Sequence, residues 1–106
     1  MRKVRYSEQA NDDLRAIVRY LAEATSDRRI ALTFAKRLRR RCDRLASFTQ
    51  IMGSPRPDLA AGLRCSSEGN YLIFFRYVDS TFEVVRIAEG HQDLTAMFTE
   101  DDKPQE

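Results

Sequence analysis

The sequence has few of the residues that form metal and redox sites. Its single histidine is His91, and its two cysteines, Cys42 and Cys65, stand 23 positions apart. Zinc ligands usually occur as closely spaced pairs of cysteine or histidine, and this spacing matches no such pattern. We therefore expect no metal and no cofactor. Both thiols are expected to be reduced, with Cys42 in the core on the apolar side of a helix and Cys65 in a similar place on a strand.

Long apolar runs are also missing. No segment approaches the roughly 20 apolar residues with which a helix crosses a bilayer, and the residues after Met1-Arg2-Lys3 do not resemble a secretory signal. These observations predict a cytoplasmic protein with no membrane partner. The length of 106 residues and the hydrophobic content of 42% fit one folded domain. We assign residues 1–98 to this domain and residues 99–106 to an acidic, flexible tail.

The chain carries a net charge of only +2, but its charges are unevenly distributed. Between residues 26 and 49, eight arginines and lysines accompany two aspartates. A helix this basic could bind nucleic acid, but no aromatic residue lies among the cations of its polar face. We therefore favour a solvated face, with arginine stems lying over apolar surface, or a face that binds an acidic partner.

The spacing of apolar residues predicts a helical hairpin in the first half of the chain. Alternating residues predict a strand at 3–6, and Ser7 is a suitable N-cap for a helix over 8–24. Residues 25–27 interrupt this pattern and supply caps for a second helix that ends near Thr49. The two apolar stripes are Ala10, Leu14, Ile17, Leu21 and Ala24, and then Ala31, Phe34, Leu38, Cys42, Leu45 and Phe48. Amphipathic helices with so short a connection form an antiparallel hairpin.

The second half of the chain reads as strands. Proline and glycine make 53–58 a loop, and a strand begins near Leu63. Two β-prone runs at 71–78 and 81–88 are joined by a two-residue hairpin turn, and 92–98 can form a short helix. The order β-α-α-β-β-β predicts an α+β fold, in which the helical hairpin packs on one face of a small, mainly antiparallel sheet. The opposite face is then expected to be partly open and suited to docking a partner.

Short phrases spread over nearly the whole chain carry a resemblance to a known family. They are Ala10-x-x-Asp13-Leu14-x-x-Ile17-x-x-Tyr20-Leu21-Ala22-Glu23, Ala31-x-x-Phe34-x-x-x-Leu38, Leu45-Ala46, Gly62-Leu63-Arg64, Tyr71-Leu72-Ile73-Phe74-Phe75-Arg76 and Val85-Arg86-Ile87. In this order and spacing, residues 3–98 resemble the ParE branch of the ParE/RelE toxin superfamily of bacterial toxin–antitoxin modules.

The resemblance implies a small toxin that is encoded beside its antitoxin. Relatives of the ParE type are similar in fold to the RelE ribosome-dependent ribonucleases but act on DNA gyrase and stall replication. The implied antitoxin carries a DNA-binding domain of the ribbon-helix-helix type and an extended segment that wraps the toxin. The chain would then form a hetero-oligomer and contact DNA only through the antitoxin.

Charged residues on the predicted strands are the first candidate binding residues. Arg64, Arg76 and Arg86 either pair with carboxylates of the sheet, such as Glu83 or Glu89, or form a cationic patch that binds the antitoxin or the target. Both interpretations remain open at this point.

The segment after the last strand holds the other candidates. Where the family commonly has a His-Gly-x-Arg-Asp phrase, this chain has Glu89-Gly90-His91-Gln92-Asp93. A histidine between carboxylates could be a general acid or base, but no nucleophile accompanies it. We interpret His91 as a turn residue before a helix that Asp93 caps, and we keep Glu89 and His91 as candidate contacts to the antitoxin or target.

Two further functions remain open. A RelE-like endoribonuclease acting on ribosome-bound mRNA would need cations and a general acid and base around the scissile phosphate. The strands after Gly62 supply three arginines and no lysine, and Phe98 stands where the terminal helix of such an enzyme would carry tyrosine. A homologue without toxicity could also act as an antitoxin-binding corepressor. We expect no catalytic residue and favour a gyrase inhibitor over an enzyme.

Overall fold

The computed structural model describes residues 2–101, which form three helices and five strands. In chain order they are β1 (Lys3–Tyr6), α1 (Glu8–Thr25), α2 (Arg28–Ser47), β2 (Ser54–Pro55), β3 (Arg64–Glu68), β4 (Tyr71–Val78), β5 (Thr81–Glu89) and α3 (Leu94–Asp101). This architecture confirms the predicted α+β fold, in which a helical pair packs on a sheet. Within residues 2–101, no helix is both long and apolar enough to cross a membrane.

The two long helices begin at the predicted caps. The hydroxyl of Ser7 accepts a hydrogen bond from the amide of Ala10 at 3.0 Å, and the carboxylate of Asp27 accepts one from the second residue of α2 at 2.9 Å. Such bonds satisfy amides that have no partner inside the helix. Ser26, with φ of 57°, ends α1 in the left-handed region. Phe48 was wrongly placed in the buried stripe, because it follows the end of α2 and is 40% exposed.

The sheet is mixed, with the strand order β1-β5-β4-β3-β2. Only β1 and β5 pair in parallel; the other three pairings are antiparallel. The predicted loop at 53–58 contains a short edge strand, β2, in which proline is tolerated because it needs no ladder hydrogen bond there. Gly53 precedes this strand with φ of 81°, and a Cβ on it would stand 2.6 Å from Cζ of Phe75. Close packing of the loop on the sheet therefore requires glycine at this position.

Apolar residues cover both faces of the sheet. The larger cluster lies between the sheet and α1 and α2 and includes Leu14, Leu38, Cys42, Phe75 and Phe82. The smaller cluster consists of Leu59, Leu63, Phe74, Ala88 and Phe98. Its members come from the loop after β2, from β4 and β5, and from α3. The second face is therefore more covered than the sequence suggested, since α3 and the loop pack on its centre.

The terminal helix is longer than predicted. It runs from Leu94 to Asp101, so the first three residues assigned to a flexible tail are helical. The remaining tail residues, 102–106, lie outside the described part of the chain.

Candidate functional site

Arg86 of β5 pairs with Asp13 of α1. Its Nε and Nη2 atoms donate to the two carboxylate oxygens of Asp13 at 2.9 and 3.0 Å. The two side chains are 16% and 14% exposed. Oδ2 of Asp13 also accepts a hydrogen bond from the amide of Ile87 at 2.9 Å. A bidentate pair of this kind is strong and geometrically specific. Arg86 therefore ties the first helix to the sheet, and its partner is neither Glu83 nor Glu89.

Side chains also occupy part of the outer edge of β5. Pairing with β1 ends at Val84, so later backbone groups of β5 would otherwise be open to another strand. Three side chains bond the backbone of residues 85, 87 and 89 instead: Ser7, Asp13 and Gln92. Three backbone groups of this edge thus bond side chains of the same chain, which leaves fewer groups for a partner's strand to pair with.

Arg64 holds the loop that follows α2. Its Nε donates to the carbonyl oxygen of Met52 and its Nη2 to that of Gly53, each at 2.7 Å. The charge of this guanidinium is therefore directed at backbone dipoles of its own chain. Arg64 positions the loop that brings Gly53 against the sheet.

Arg76 shares a carboxylate with Arg5. Its Nη2 lies 3.2 Å from Oε1 of Glu83, and Nη2 of Arg5 lies 2.6 Å from Oε2. The Arg76 pairing was one of the two interpretations drawn from the sequence. Burial acts to raise the pKa of Glu83, but hydrogen bonds from Arg5 and Arg76 outweigh it and hold that pKa below its ordinary value. The three strand arginines thus have three different partners within the chain.

Replacing Glu83 with glutamine is expected to lower the free energy of unfolding by about 1 kcal/mol at pH 7. Because the folded-state pKa is depressed, this stabilisation is fully present above the unfolded pKa of about 4.3. It is lost as the pH falls through the folded value. Urea unfolding of both proteins between pH 7 and pH 3 measures the difference. A difference that stayed constant over this range would contradict the assignment.

Glu89 and His91 lie at the exit of β5. His91 is 95% exposed at its side chain, and its Nε2 is 4.0 Å from Oε1 of Glu89. The carboxylate of Asp93 accepts a hydrogen bond from the amide of Ala96 at 3.1 Å, which confirms that Asp93 caps the terminal helix. An exposed imidazole in a turn has no environment that would direct it at a substrate.

A groove with a basic rim runs along the outer side of the helical hairpin, and we call it the basic groove. It has a volume of about 690 Å³ and is lined by residues of both α1 and α2. Its charged residues are Arg15, Arg19, Glu23, Arg28, Lys36 and Arg39. Five of these six side chains are cationic. The sequence indicated a basic second helix but not this groove, because the cations of α1 join it only after the two helices pack together.

A second groove lies between α1 and the end of β5, and we call it the tyrosine groove. Its volume is about 490 Å³. Tyr20, Tyr71, Asp13 and Glu89 are among its lining residues, which include two carboxylates and no lysine, arginine or histidine. The two grooves thus have opposite charge. The sequence indicates Glu89 as a candidate but neither tyrosine, because Tyr71 has the pattern of a strand core residue and Tyr20 that of a helix residue.

The cysteines show no sign of reactivity. Both are free thiols, with Cys42 buried and Cys65 half-buried. Burial raises the pKa of Cys42 to about 11 and also raises that of Cys65. Little thiolate, the nucleophilic and metal-binding form, is present at neutral pH. Among residues 2–101 no group of three or more histidines, cysteines or carboxylates is placed to hold a metal ion.

Comparisons with known proteins agree with this architecture. A chain of the chromosomal ParDE TA system from P. aeruginosa superposes with a TM-score of 0.71 and 19% identity, covering 84% of this chain and 96% of that one. YafQ from E. coli strain BL21(DE3) is a weaker match, with a TM-score of 0.46 and 14% identity, covering 84% of this chain and 93% of that one. The curated protein sequences give no match. Residues 4–94 match the family described as ParE toxin of type II toxin–antitoxin system, parDE. Since that match spans most of the chain, this protein belongs to the ParE toxin family of type II toxin–antitoxin systems.

Proposed function

We propose that this toxin inhibits DNA gyrase by binding it, without catalysing a reaction. Membership of the ParE family supports the target. The hydrogen bonds that the strand arginines make within the chain support the absence of catalysis. RNA cleavage needs cations directed at the scissile phosphate, whereas Arg64, Arg76 and Arg86 donate to oxygen atoms of this chain.

The terminal helix also lacks a proton donor at the expected place. Phe98 is 2% exposed and lies 5.0 Å from Phe74, ring centre to ring centre, in an edge-to-face contact. A tyrosine there would have to place its hydroxyl in this apolar cluster. Phe98 therefore serves the core, and it offers no acid or base to a nuclease reaction.

The basic groove is the proposed binding surface for a cognate antitoxin. We expect that antitoxin to carry a ribbon-helix-helix DNA-binding domain and an acidic, amphipathic segment. Apolar residues such as Val18, Leu32 and Ala35 line the groove between its cationic residues, and Leu32 is 40% exposed. A helix with an apolar stripe and acidic flanks matches this arrangement in shape and charge.

Expression of the chain alone, followed by measurement of DNA, RNA and protein synthesis, tests the gyrase proposal. We expect DNA synthesis to stop first, and gyrase-dependent cleavage complexes to accumulate. Purified protein should also inhibit gyrase supercoiling in vitro. Intact DNA synthesis together with site-specific mRNA cuts would overturn the proposal in favour of a ribonuclease. Normal growth with retained antitoxin binding would indicate a corepressor.

Charge reversal in the basic groove tests the antitoxin surface. The double change Arg19→Glu/Lys36→Glu should weaken binding of the antitoxin encoded beside the toxin at least about tenfold, because attraction becomes repulsion. The control is Arg40→Glu/Arg44→Glu. It changes the net charge of the protein by the same amount, but both of its residues lie on α2 outside the groove. Isothermal titration calorimetry measures the affinity of each double variant for the antitoxin. Equal weakening by the two double variants would show a general charge effect and would reject the groove as the binding surface.

A further inference from the structure

We propose that the tyrosine groove receives an arginine side chain of the antitoxin. The inference rests on the proposed toxin–antitoxin function and adds a second, oppositely charged contact. The tyrosine groove is lined by carboxylates and by no cationic side chain, unlike the basic groove. Asp13 already has a bidentate partner in Arg86. Within the described residues, the carboxylate of Glu89 has one ion-pair contact, 4.0 Å from His91, a ring that is charged only when protonated.

Aromatic groups stand beside this carboxylate. Tyr20 is 64% exposed, whereas Tyr71 is 8% exposed and forms part of the floor. Tyr71 is also the cross-strand neighbour of Glu89. Burial raises the pKa of Tyr71, and the negative charge of Glu89 raises it further. Tyr20, Tyr71 and Glu89 all line the groove, which therefore brings the Glu89 carboxylate together with two phenol rings.

This combination fits a guanidinium group better than an ammonium group. A guanidinium is planar, stacks on an aromatic ring and donates two parallel hydrogen bonds to a carboxylate. Tyr20 can supply the exposed ring and Glu89 the carboxylate. The apolar wall of the groove, formed by Ile17, Leu21 and Ile87, can cover the methylene stem of the same arginine.

The position of the groove indicates which partner supplies the arginine. Residues of α1 line both grooves. Val18 and Ala22 line the basic groove, and Ile17 and Leu21 line the tyrosine groove. A helix with its side chains is about 10 Å wide, so a segment that passes around half of it travels about 16 Å, or roughly five extended residues. One antitoxin segment can therefore place its acidic helix on one side of α1 and an arginine a few residues away on the other. The opposite charges would also determine the direction in which the segment binds.

A titration with small probes tests the groove without any antitoxin. Amide chemical shifts of ¹⁵N-labelled toxin are followed on addition of N-acetyl-arginine methylamide or of the citrulline analogue, which has nearly the same shape but no charge. We expect saturable shifts at Asn70, Tyr71, Glu89 and Gln92 with the arginine probe only, at millimolar concentrations. Glu89→Gln should weaken this binding at least fivefold. Equal responses to both probes, or shifts confined to other regions, would overturn the inference.

Binding of the antitoxin encoded beside the toxin supplies the second test. Glu89→Gln and Tyr20→Ala are each expected to weaken it about tenfold, equivalent to about 1.4 kcal/mol. Asp43→Asn, which removes an exposed negative charge outside both grooves, should leave it unchanged. If Arg19→Glu/Lys36→Glu weakens binding while Glu89→Gln and Tyr20→Ala do not, the arginine contact is rejected and the proposed function stands. If wild-type toxin does not bind the antitoxin, the proposed function itself fails.

Discussion

Replacing Asp13 with alanine is expected to lower the free energy of unfolding by about 3 kcal/mol. The change removes two acceptors of the Arg86 guanidinium and the acceptor of the Ile87 amide. Because Arg86 is mostly buried, it would lose this bidentate contact in a place that water reaches poorly. For a domain of this size the loss corresponds to a melting temperature about 12–20 °C lower. Differential scanning calorimetry and urea unfolding both measure it.

The neighbouring aspartate is a matched control. Asp12 has a side chain that is 60% exposed and pairs with Arg15 on the surface of the same helix. Asp12→Ala should therefore change the free energy of unfolding by less than about 0.5 kcal/mol. Equal effects of the two substitutions would contradict the structural role of the Asp13–Arg86 pair.

This pair changes how variants of Arg86 must be interpreted. From the sequence, Arg86 was a candidate for contact with the antitoxin or the target. A charge reversal there is expected to leave two carboxylates facing each other at the junction of α1 and β5 and to destabilise the fold. Loss of toxicity in such a variant would report on folding unless circular dichroism showed that the fold had survived.

Truncating Phe98 to alanine is expected to cost about 3 kcal/mol of unfolding free energy. The ring fills the smaller cluster against Phe74, and its loss would leave a cavity and loosen α3 from the sheet. Thr95→Ala, at an exposed position on the same helix, should change stability by less than about 0.5 kcal/mol.

Dye binding shows whether the loss is local or global. If α3 detaches while the rest of the domain remains folded, the Phe98→Ala protein should bind the dye ANS below its melting temperature, because Phe74 and Ala88 become exposed. An unchanged melting temperature together with no added dye binding would mean that Phe98 does not hold α3 on the sheet.

Much of the fold could be predicted from the sequence because its signals are local. Ser7 and Asp27 cap helices through bonds to amides two or three residues away. The two-residue turn at 79–80 joins β4 and β5 as predicted, and one helical stripe contains the buried Leu38 and Cys42. Each of these features depends on residues within about one turn of helix or one hairpin.

Most of the failures involve contacts between distant segments. Phe48 fits the helical spacing, but α2 ends before it and leaves it exposed. β2 depends on pairing with β3 and on the close approach of Gly53 to Phe75, neither of which a glycine and proline composition reveals. The predicted partly open face is covered because α3 returns to the sheet and places Phe98 against Phe74.

The same distinction between local signals and distant contacts applies to the candidate site. The sequence alone determined the chain's family, its helices and hairpin, and the residue types that could act, including Arg64, Arg76, Arg86, Glu89 and His91. Only the tertiary structure decided what surrounds them. Arg86 and Asp13 are 73 positions apart, and both grooves exist only where α1 packs against another element. The physical reason is that local backbone preferences and apolar periodicity act over a few residues. The neutralisation of a charge and the shape of a groove depend on which distant side chains the completed fold brings together.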